Sequence, residues 1–154
     1  MDAMTAFNVL AAALESGDGP APFASRDADI GTAIGGERLG GSVIEIPPGA
    51  RAFPYHWEAA QEEWLLVLAG TVIVRTPGGE EELGAGDLVC FPVGPEGAHA
   101  MRNAAHEPCR IVMLSNRAPV NAVVYPDSDK VGLRTPWLRS NFRASDAVEY
   151  WSGE

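Results

Sequence analysis

Residues 48–70 read PGARAFPYHWEAAQEEWLLVLAG, a polar segment with one histidine and three glutamates that runs into an apolar stretch. In an extended strand, successive side chains alternate between the two faces. His56 and Glu58 would therefore point to one side and Trp57 to the other. This stretch predicts a strand that brings an imidazole and a carboxylate to one face.

The two glutamates before the apolar stretch must face opposite sides. Glu62 and Glu63 are adjacent, so alternation turns one inward and the other outward. If Glu63 is the inward one, Leu65 and Val67 share its side. The sequence leaves the choice between Glu62 and Glu63 open.

A second stretch, residues 86–103, reads GDLVCFPVGPEGAHAMRN and supplies another histidine. By alternation His99 and Met101 share one face, whereas Arg102 faces the other and favours a surface ion pair. Two histidines and one or two carboxylates inside a barrel match the ligands that divalent Fe, Mn, Ni or Zn prefer. Each histidine taken singly has the alternative of a structural, hydrogen-bonded role.

Short apolar runs separated by Gly and Pro predict an all-β sandwich or barrel. The predicted strands are 42–46, 64–69, 71–75, 87–91, 99–103, 110–114 and 120–125. Residues 76–80, TPGGE, predict a hairpin turn. Only residues 5–15 have a helical composition, for at most about three turns.

The two histidine stretches resemble the two motifs of the cupin superfamily. The first runs Gly49, six residues, His56, Trp57, Glu58, four residues, Glu63, six residues, Gly70. The second runs Gly86, five residues, Pro92, Val93, Gly94, four residues, His99, three residues, Asn103. The resemblance covers roughly residues 40–125 and implies a double-stranded β-helix, which is a jelly-roll barrel.

The resemblance also implies a ligand set, from which this chain departs twice. Glu58 stands where cupins have a second histidine, and two extra residues separate Gly94 from His99 in a turn. The implied metal ligands are His56, Glu63 and His99, with Glu58 as a fourth ligand or a general base. A carboxylate at position 58 favours Mn or Fe(II) over softer ions. Loss of the metal is the alternative.

We expect one domain with three parts: an N-terminal arm over 1–40, made of edge strands or a short helix; a cupin barrel over 41–126; and a tail over 127–154. The tail carries four aromatic residues, Trp137, Phe142, Tyr150 and Trp151, and we expect it to pack on the barrel or on a second subunit.

A homodimer is predicted because the strand at residues 64–68 is apolar on both faces, whereas a barrel buries only the inner face of each strand. Coverage by the arm or tail is the alternative.

Charge and hydropathy restrict the partners. The chain has 11 Lys and Arg against 21 Asp and Glu, and the resulting charge of −10 would repel nucleic acids and anionic membranes. The longest apolar run is far shorter than the ~20 residues that span a bilayer. We therefore expect a soluble, cytoplasmic protein without nucleic-acid or membrane partners.

Cys90 and Cys109 are expected to be reduced, buried thiols.

The residues support two functional hypotheses. In the first, the barrel binds a divalent transition metal (Mn, Fe, Ni or Zn) and acts as a metalloenzyme on a small polar metabolite. In the second, it is a non-catalytic cupin that binds a small ligand, or serves as a sensor or accessory protein, without metal. The fold class cannot choose between them, because one scaffold supports many reactions.

Overall fold

Antiparallel strands connected by short turns make up most of the chain. In the computed structural model, which describes residues 4–154, thirteen strands accompany one four-residue α-helix. The strands are β1 Glu15–Ser16, β2 Arg26–Asp29, β3 Leu39–Ile46, β4 Trp57–Glu58, β5 Glu63–Ala69, β6 Thr71–Thr76, β7 Gly79–Gly84, β8 Leu88–Phe91, β9 Ala100–Arg102, β10 Cys109–Asn116, β11 Asn121–Tyr125, β12 Lys130–Arg134 and β13 Arg139–Arg143. The α-helix, α1, is Ile30–Ala33, and 3-10 turns lie at Pro95–Gly97, Pro126–Ser128 and Ala144–Asp146.

The strands form three antiparallel sheets. A six-stranded sheet has the order β1-β2-β3-β10-β5-β8, a three-stranded sheet β7-β6-β9, and a four-stranded sheet β13-β12-β11-β4. The first two sheets enclose the main core, which includes Ile46, Leu65, Val67, Val72, Val74, Met101 and Ile111. Neighbouring strands such as β3 and β10 are far apart in sequence. This order is that of a double-stranded β-helix, and it confirms the predicted fold class.

All seven predicted strands overlap strands of the structure. The predicted hairpin is also present, since β6 and β7 pair from Thr76 and Gly79 outward. Gly79 has a φ of +123°. Glycine adopts this conformation without steric cost, which explains why a tight reversal forms here.

Strand β5 decides which glutamate faces the interior. Leu65 and Val67 are 0% and 1% exposed, and they share the inward side with Glu63. Glu62 stays outside, where its carboxylate accepts a hydrogen bond from Trp64 Nε1 at 2.8 Å. Alternation along the strand thus settles the choice that the sequence left open.

Residues 5–15, the segment with a helical composition, do not form a helix. Residues 4–14 form turns and irregular chain, with the Asn8 carboxamide accepting from the backbone N–H groups of Leu10 and Ala11. This side-chain bonding competes with helix formation, and an isolated helix of this length is marginal. The arm instead lays four apolar side chains on the outer face of the six-stranded sheet. They are Phe7, Val9, Ala12 and Leu14.

This arm covers part of the apolar outer face from which we predicted a dimer. Leu66 and Leu68 pack in the same cluster as the arm, around Val43 and Val112. Trp64 on the same strand face remains 44% exposed. Coverage by the arm, the alternative to a dimer, therefore accounts for two of the outer residues of β5. The homodimer stays a prediction.

The C-terminal segment joins the barrel through its backbone. Strands β12 and β13 extend the sheet from β11, with five paired residues on each side of β12. Its four aromatic side chains are not buried against the barrel. All of them are exposed: Trp137, Phe142, Tyr150 and Trp151. Packing against a second subunit stays a prediction.

The two cysteines have different environments. Cys109 is buried, as predicted, and burial raises the pKa of its thiol to about 11. Cys90 is exposed, so the prediction that both are buried is wrong. It lies on the edge strand β8, where Phe91 occupies the inward position and leaves Cys90 outside, opposite Trp64.

Helix α1 is a single turn with a side-chain cap. The Asp29 carboxylate accepts from Thr32 N at 2.8 Å and from Thr32 Oγ1 at 2.9 Å, which satisfies donors at the helix start. Over residues 4–154 we find no helix of the length and hydropathy needed to cross a membrane.

Candidate metal site

A pair of backbone hydrogen bonds sets two histidines side by side. His56 N donates to His99 O at 3.1 Å, and His99 N donates to His56 O at 2.9 Å. The reciprocal bridge fixes the segment before β4 against the segment before β9. The ring centroids are 4.7 Å apart, and the residues are 8% and 1% exposed. Two buried imidazoles therefore face the same interior space.

Glu63 meets both rings from the start of β5. Its Oε2 lies 3.3 Å from His99 Nε2 and 3.8 Å from His56 Nε2. One ligand atom from each of the three residues falls within a group spanning at most 4.8 Å. The structure thus brings together the three residues that the cupin resemblance implied as ligands.

The backbone determines which nitrogen of each ring carries the proton. His56 Nδ1 is 2.9 Å from Pro54 O, and His99 Nδ1 is 2.8 Å from Gly97 O. A carbonyl oxygen only accepts, so each Nδ1 donates and each neutral ring keeps its lone pair on Nε2. Burial is the main cause that lowers the pKa of His56, and it favours the neutral form of this ring. Both lone pairs point towards the Glu63 carboxylate.

Two atoms of this group have no hydrogen-bond partner. In residues 4–154, Glu63 Oε2 and His99 Nε2 are the buried side-chain polar atoms left unsatisfied. Buried polar atoms are rarely left unpaired, because desolvation costs about 1–3 kcal/mol each. When both rings are neutral, three acceptor atoms also face one another and repel. A shared cation removes both penalties.

The spacing of the acceptors fits such a cation. Ligand bonds of ~2.1 Å place neighbouring ligand atoms about 3.0 Å apart at octahedral angles and about 3.4 Å apart at tetrahedral angles. The observed distances from Glu63 Oε2, 3.3 and 3.8 Å, are within a few tenths of an ångström of this range. The donor set of two imidazoles and a carboxylate is one that divalent transition metals accept.

Glu58 lies beside this group of three. Its Oε1 is 3.6 Å from His56 Nε2, and its other oxygen accepts a hydrogen bond from Asn121 Nδ2. Burial raises the pKa of Glu58 to about 6, although the bond from Asn121 opposes the rise. The expectation that His56 and Glu58 face the same side holds. The position of Glu58 leaves open whether it is a ligand or a base.

Aromatic rings surround the two histidines. Phe91 stacks on His99 with centroids 3.9 Å apart, and Phe53 meets both imidazoles edge-on at 5.1 and 5.8 Å. Tyr125 stacks on His56 at 5.7 Å. These rings fix the orientation of the imidazoles and reduce the space for water around them.

A polar cavity of about 390 Å³ lies next to the site. Its lining residues are Glu58, Gln61, Ala118, Asn121, Val123, Tyr125, Arg134 and Arg139. Glu58 and Tyr125 connect it to the histidines, because both lie against His56. The sequence did not predict that these residues would line one cavity. Arg134 and Arg139 lie in the segment interpreted as a tail, and only strand pairing brings them here.

Arg102, by contrast, faces away from the site as predicted. Its guanidinium forms a salt bridge with Glu80 on the outer surface, at 2.7 Å between Arg102 Nη2 and Glu80 Oε2. The alternation along β9 therefore places Met101 in the core and Arg102 outside.

Comparison with known families agrees with the fold and the motifs. Residues 42–115 match the family model described as "Cupin domain". The chain therefore contains a cupin domain, and the resemblance seen in the two motifs is confirmed. The comparison with curated proteins found no match.

Solved structures share the architecture. A sugar phosphate isomerase of the cupin superfamily from Silicibacter pomeroyi superposes with a TM-score of 0.81 at 19% identity, covering 94% of this chain and 96% of that one. The polyketide cyclase RemF from Streptomyces resistomycificus has a TM-score of 0.59 at 20% identity, covering 74% and 80%. At such identities the likeness concerns the fold alone.

Proposed function

We propose that this cupin barrel binds one divalent transition metal ion through His56, Glu63 and His99 and acts on a small polar metabolite. The observation that carries the proposal is the pair of buried atoms without partners, Glu63 Oε2 and His99 Nε2. A metal is the partner that suits both, since one is anionic and the other offers a lone pair. A divalent ion there would supply Lewis-acid polarisation of a substrate oxygen.

Glu58 would act on the substrate rather than only on the metal. Its Oε1 is close to His56, yet its second oxygen is held by Asn121 at the edge of the cavity. From this position Glu58 Oε1 can accept a proton from a ligand that lies between the cavity and the histidines. As a fourth ligand it would instead add negative charge and favour Mn or Fe(II) among the candidate metals.

The remaining residues would bind and orient the metabolite. The cavity of about 390 Å³ is at the small end of the usual range for ligand sites, roughly 300–1,000 Å³. Tyr125 offers a hydroxyl at its wall, Asn121 holds Glu58 in place, and the Phe91 ring limits water around His99. The sugar phosphate isomerase and polyketide cyclase of similar fold do not select a reaction for this chain.

Elemental analysis tests the proposal. Protein purified without a chelator or a metal-affinity column should contain a transition metal approaching one ion per chain, and His99→Ala should remove most of it. His106→Ala is the matched control, because His106 is exposed and outside the group. Protein that stays metal-free after incubation with Mn, Fe(II), Ni and Zn would contradict the proposal. It would favour the non-catalytic ligand-binding alternative. A cytoplasmic homodimer remains our prediction for the location and assembly.

A further inference from the structure

Four of the 11 basic residues of the chain lie on the β12–β13 hairpin. They form two opposed pairs, Lys130 with Arg143 and Arg134 with Arg139. Directly opposed residues project from the same face, and like charges in such pairs destabilise a sheet. The arginines that form salt bridges with carboxylates of the described residues lie elsewhere in the fold. They are Arg26, Arg75, Arg102, Arg110 and Arg117. The hairpin therefore carries positive charge that no described carboxylate neutralises by a salt bridge.

The register turns this charge towards the cavity. Arg134 is opposite Asn121, and Val123, which is two residues further along β11, pairs with Glu58. All these residues line the cavity beside the candidate metal site, and so does Arg139. The cavity therefore has Glu58 on the side next to the histidines, and Arg134 and Arg139 elsewhere on its wall.

Arg134 is held in place by neutral partners. Its Nη1 donates to the carbonyl oxygens of Leu133 and Ser140, each at 3.1 Å, and its Nη2 donates to Asn141 Oδ1 at 2.9 Å. These bonds orient the guanidinium without cancelling its charge. A guanidinium fixed in this way loses little side-chain entropy when it binds an anion.

Gly132 provides the space for the guanidinium. A Cβ at position 132 would lie 2.7 Å from Arg134 Nη2 and 2.8 Å from Arg134 Nη1. Gly132 is buried, and its neighbour two residues along the strand is Arg134 on the same face. Any larger residue at 132 would push the guanidinium from its position.

We propose that this cavity binds an oxyanion, the phosphate or carboxylate group of the metabolite, with Arg134 as the main partner and Arg139 as the second. The substrate would then present a polar group to the histidine end and its anionic group to the arginine end. This substrate class rests on the proposed function, whereas oxyanion binding itself needs no metal. Arg139 is exposed and lies at the outer side of the pair, so Arg134 contributes most.

Calorimetric titration of the chelator-treated full chain tests the site, with methyl phosphate and acetate as separate probes. At least one probe should bind saturably in the millimolar range or tighter. Arg134→Gln should weaken that binding about tenfold or more, as expected for loss of a charge-assisted hydrogen bond. Arg38→Gln is the matched control, because Arg38 is exposed, forms no salt bridge among the described residues and lies in the turn before β3. Its binding should stay within about twofold of the wild type.

A second variant keeps the positive charge of Arg134 but displaces its guanidinium. Gly132→Ala should also weaken the binding while leaving cooperative thermal unfolding intact, since the clashing atoms are the end of a flexible side chain. Tighter binding of methyl phosphate would assign a phosphate monoester as substrate, and tighter binding of acetate would assign a carboxylate. The proposal is overturned if neither probe saturates, or if Arg134→Gln titrates like the wild type.

Metal uptake by the same chain, measured before chelator treatment and again after incubation with Mn, Fe(II), Ni and Zn, separates the two proposals. Oxyanion binding by a chain that never takes up metal would support this inference and contradict the metalloenzyme. Stoichiometric metal without oxyanion binding would support the metalloenzyme and contradict this inference.

Discussion

The side-chain amide of Asn103 donates a hydrogen bond of 2.8 Å to the carbonyl oxygen of Ile46, 57 residues earlier in the chain. The same amide donates to Glu107 O at 2.8 Å, and its oxygen accepts from Ala105 N at 2.9 Å. Asn103 is buried, at 2% exposure. It joins the end of β3 to the loop that follows β9, and β9 begins directly after His99.

Asn103→Ala should therefore destabilise the fold by about 2–4 kcal/mol, because it removes the donor to the buried carbonyl oxygen of Ile46 and the bonds to Glu107 O and Ala105 N in the following loop. Urea denaturation measures the change. Asn8→Ala is a suitable control, since Asn8 is exposed and bonds only to its own turn. Its loss should cost about 1 kcal/mol or less. Equal effects of the two substitutions would contradict the role given to Asn103.

Glu58→His should change the metal preference. This substitution restores the cupin pattern beside His56 and replaces an anionic oxygen with a neutral nitrogen. Affinity for Ni and Zn should be retained or increased, and affinity for Mn should decrease, because softer ions favour imidazole. Competition with a chromogenic chelator measures both affinities. Unchanged affinities for all three ions would show that residue 58 has no contact with the metal.

Glu45 should make stability depend on pH in the acid range. Hydrogen bonds from Arg110 and Arg26 lower the pKa of the Glu45 carboxyl below its ordinary value. Above that ordinary value, near 4.5, the stabilisation is complete, and it is lost as the pH falls through the lowered pKa. At neutral pH, Glu45→Gln should cost about 1 kcal/mol.

The difference between wild type and Glu45→Gln should therefore close in strong acid. Urea is the appropriate denaturant, because it does not screen the ion pairs. The same substitution should loosen the N-terminal arm, since Arg110 Nη1 also donates to Leu10 O at 2.5 Å. A difference in unfolding free energy that is equal at neutral and acid pH would contradict this assignment.

The predicted homodimer should form through the part of the outer sheet face that the arm leaves open. Trp64, Leu88 and Leu114 are all exposed there, at 44%, 54% and 42%. Trp64→Glu should convert the dimer to a monomer in light scattering, because a charge would have to be buried in the interface. Val120→Glu is the control, since Val120 is also exposed, at 51%, but lies in the turn before β11 and not on the six-stranded sheet. A wild-type monomer at micromolar concentration would show that the arm covers enough of the face.

The sequence predicted the strands whose apolar residues alternate or run continuously between glycines and prolines. It did not predict β12 and β13, where Val131, Leu133 and Phe142 are the apolar residues and give too short a pattern. These strands exist because β11 offers them a free edge, which is tertiary information. Residues 5–15 have a helical composition but form no helix, since an apolar sheet face and the turn at Asn8 outweigh helix propensity.

The candidate site was predictable to the extent that it depends on local alternation. His56, Glu63 and His99 could be placed on inward faces, and the cupin motif spacing grouped them. The roles of Tyr125, Asn121 and Arg134 could not be predicted, because each reaches the site through pairing between distant segments. The position of Glu58 relative to the three acceptors also depends on its bond with Asn121, 63 residues away.

The two ends of the cavity belong to different pieces of the chain. The three acceptors are carried by the barrel, whereas the arginines are carried by a hairpin appended to its edge. Substitutions in β12–β13 can therefore alter ligand choice without disturbing the acceptors. The hairpin can tolerate such changes because its strands pair with β11 and with each other, at the outer edge of the sheet.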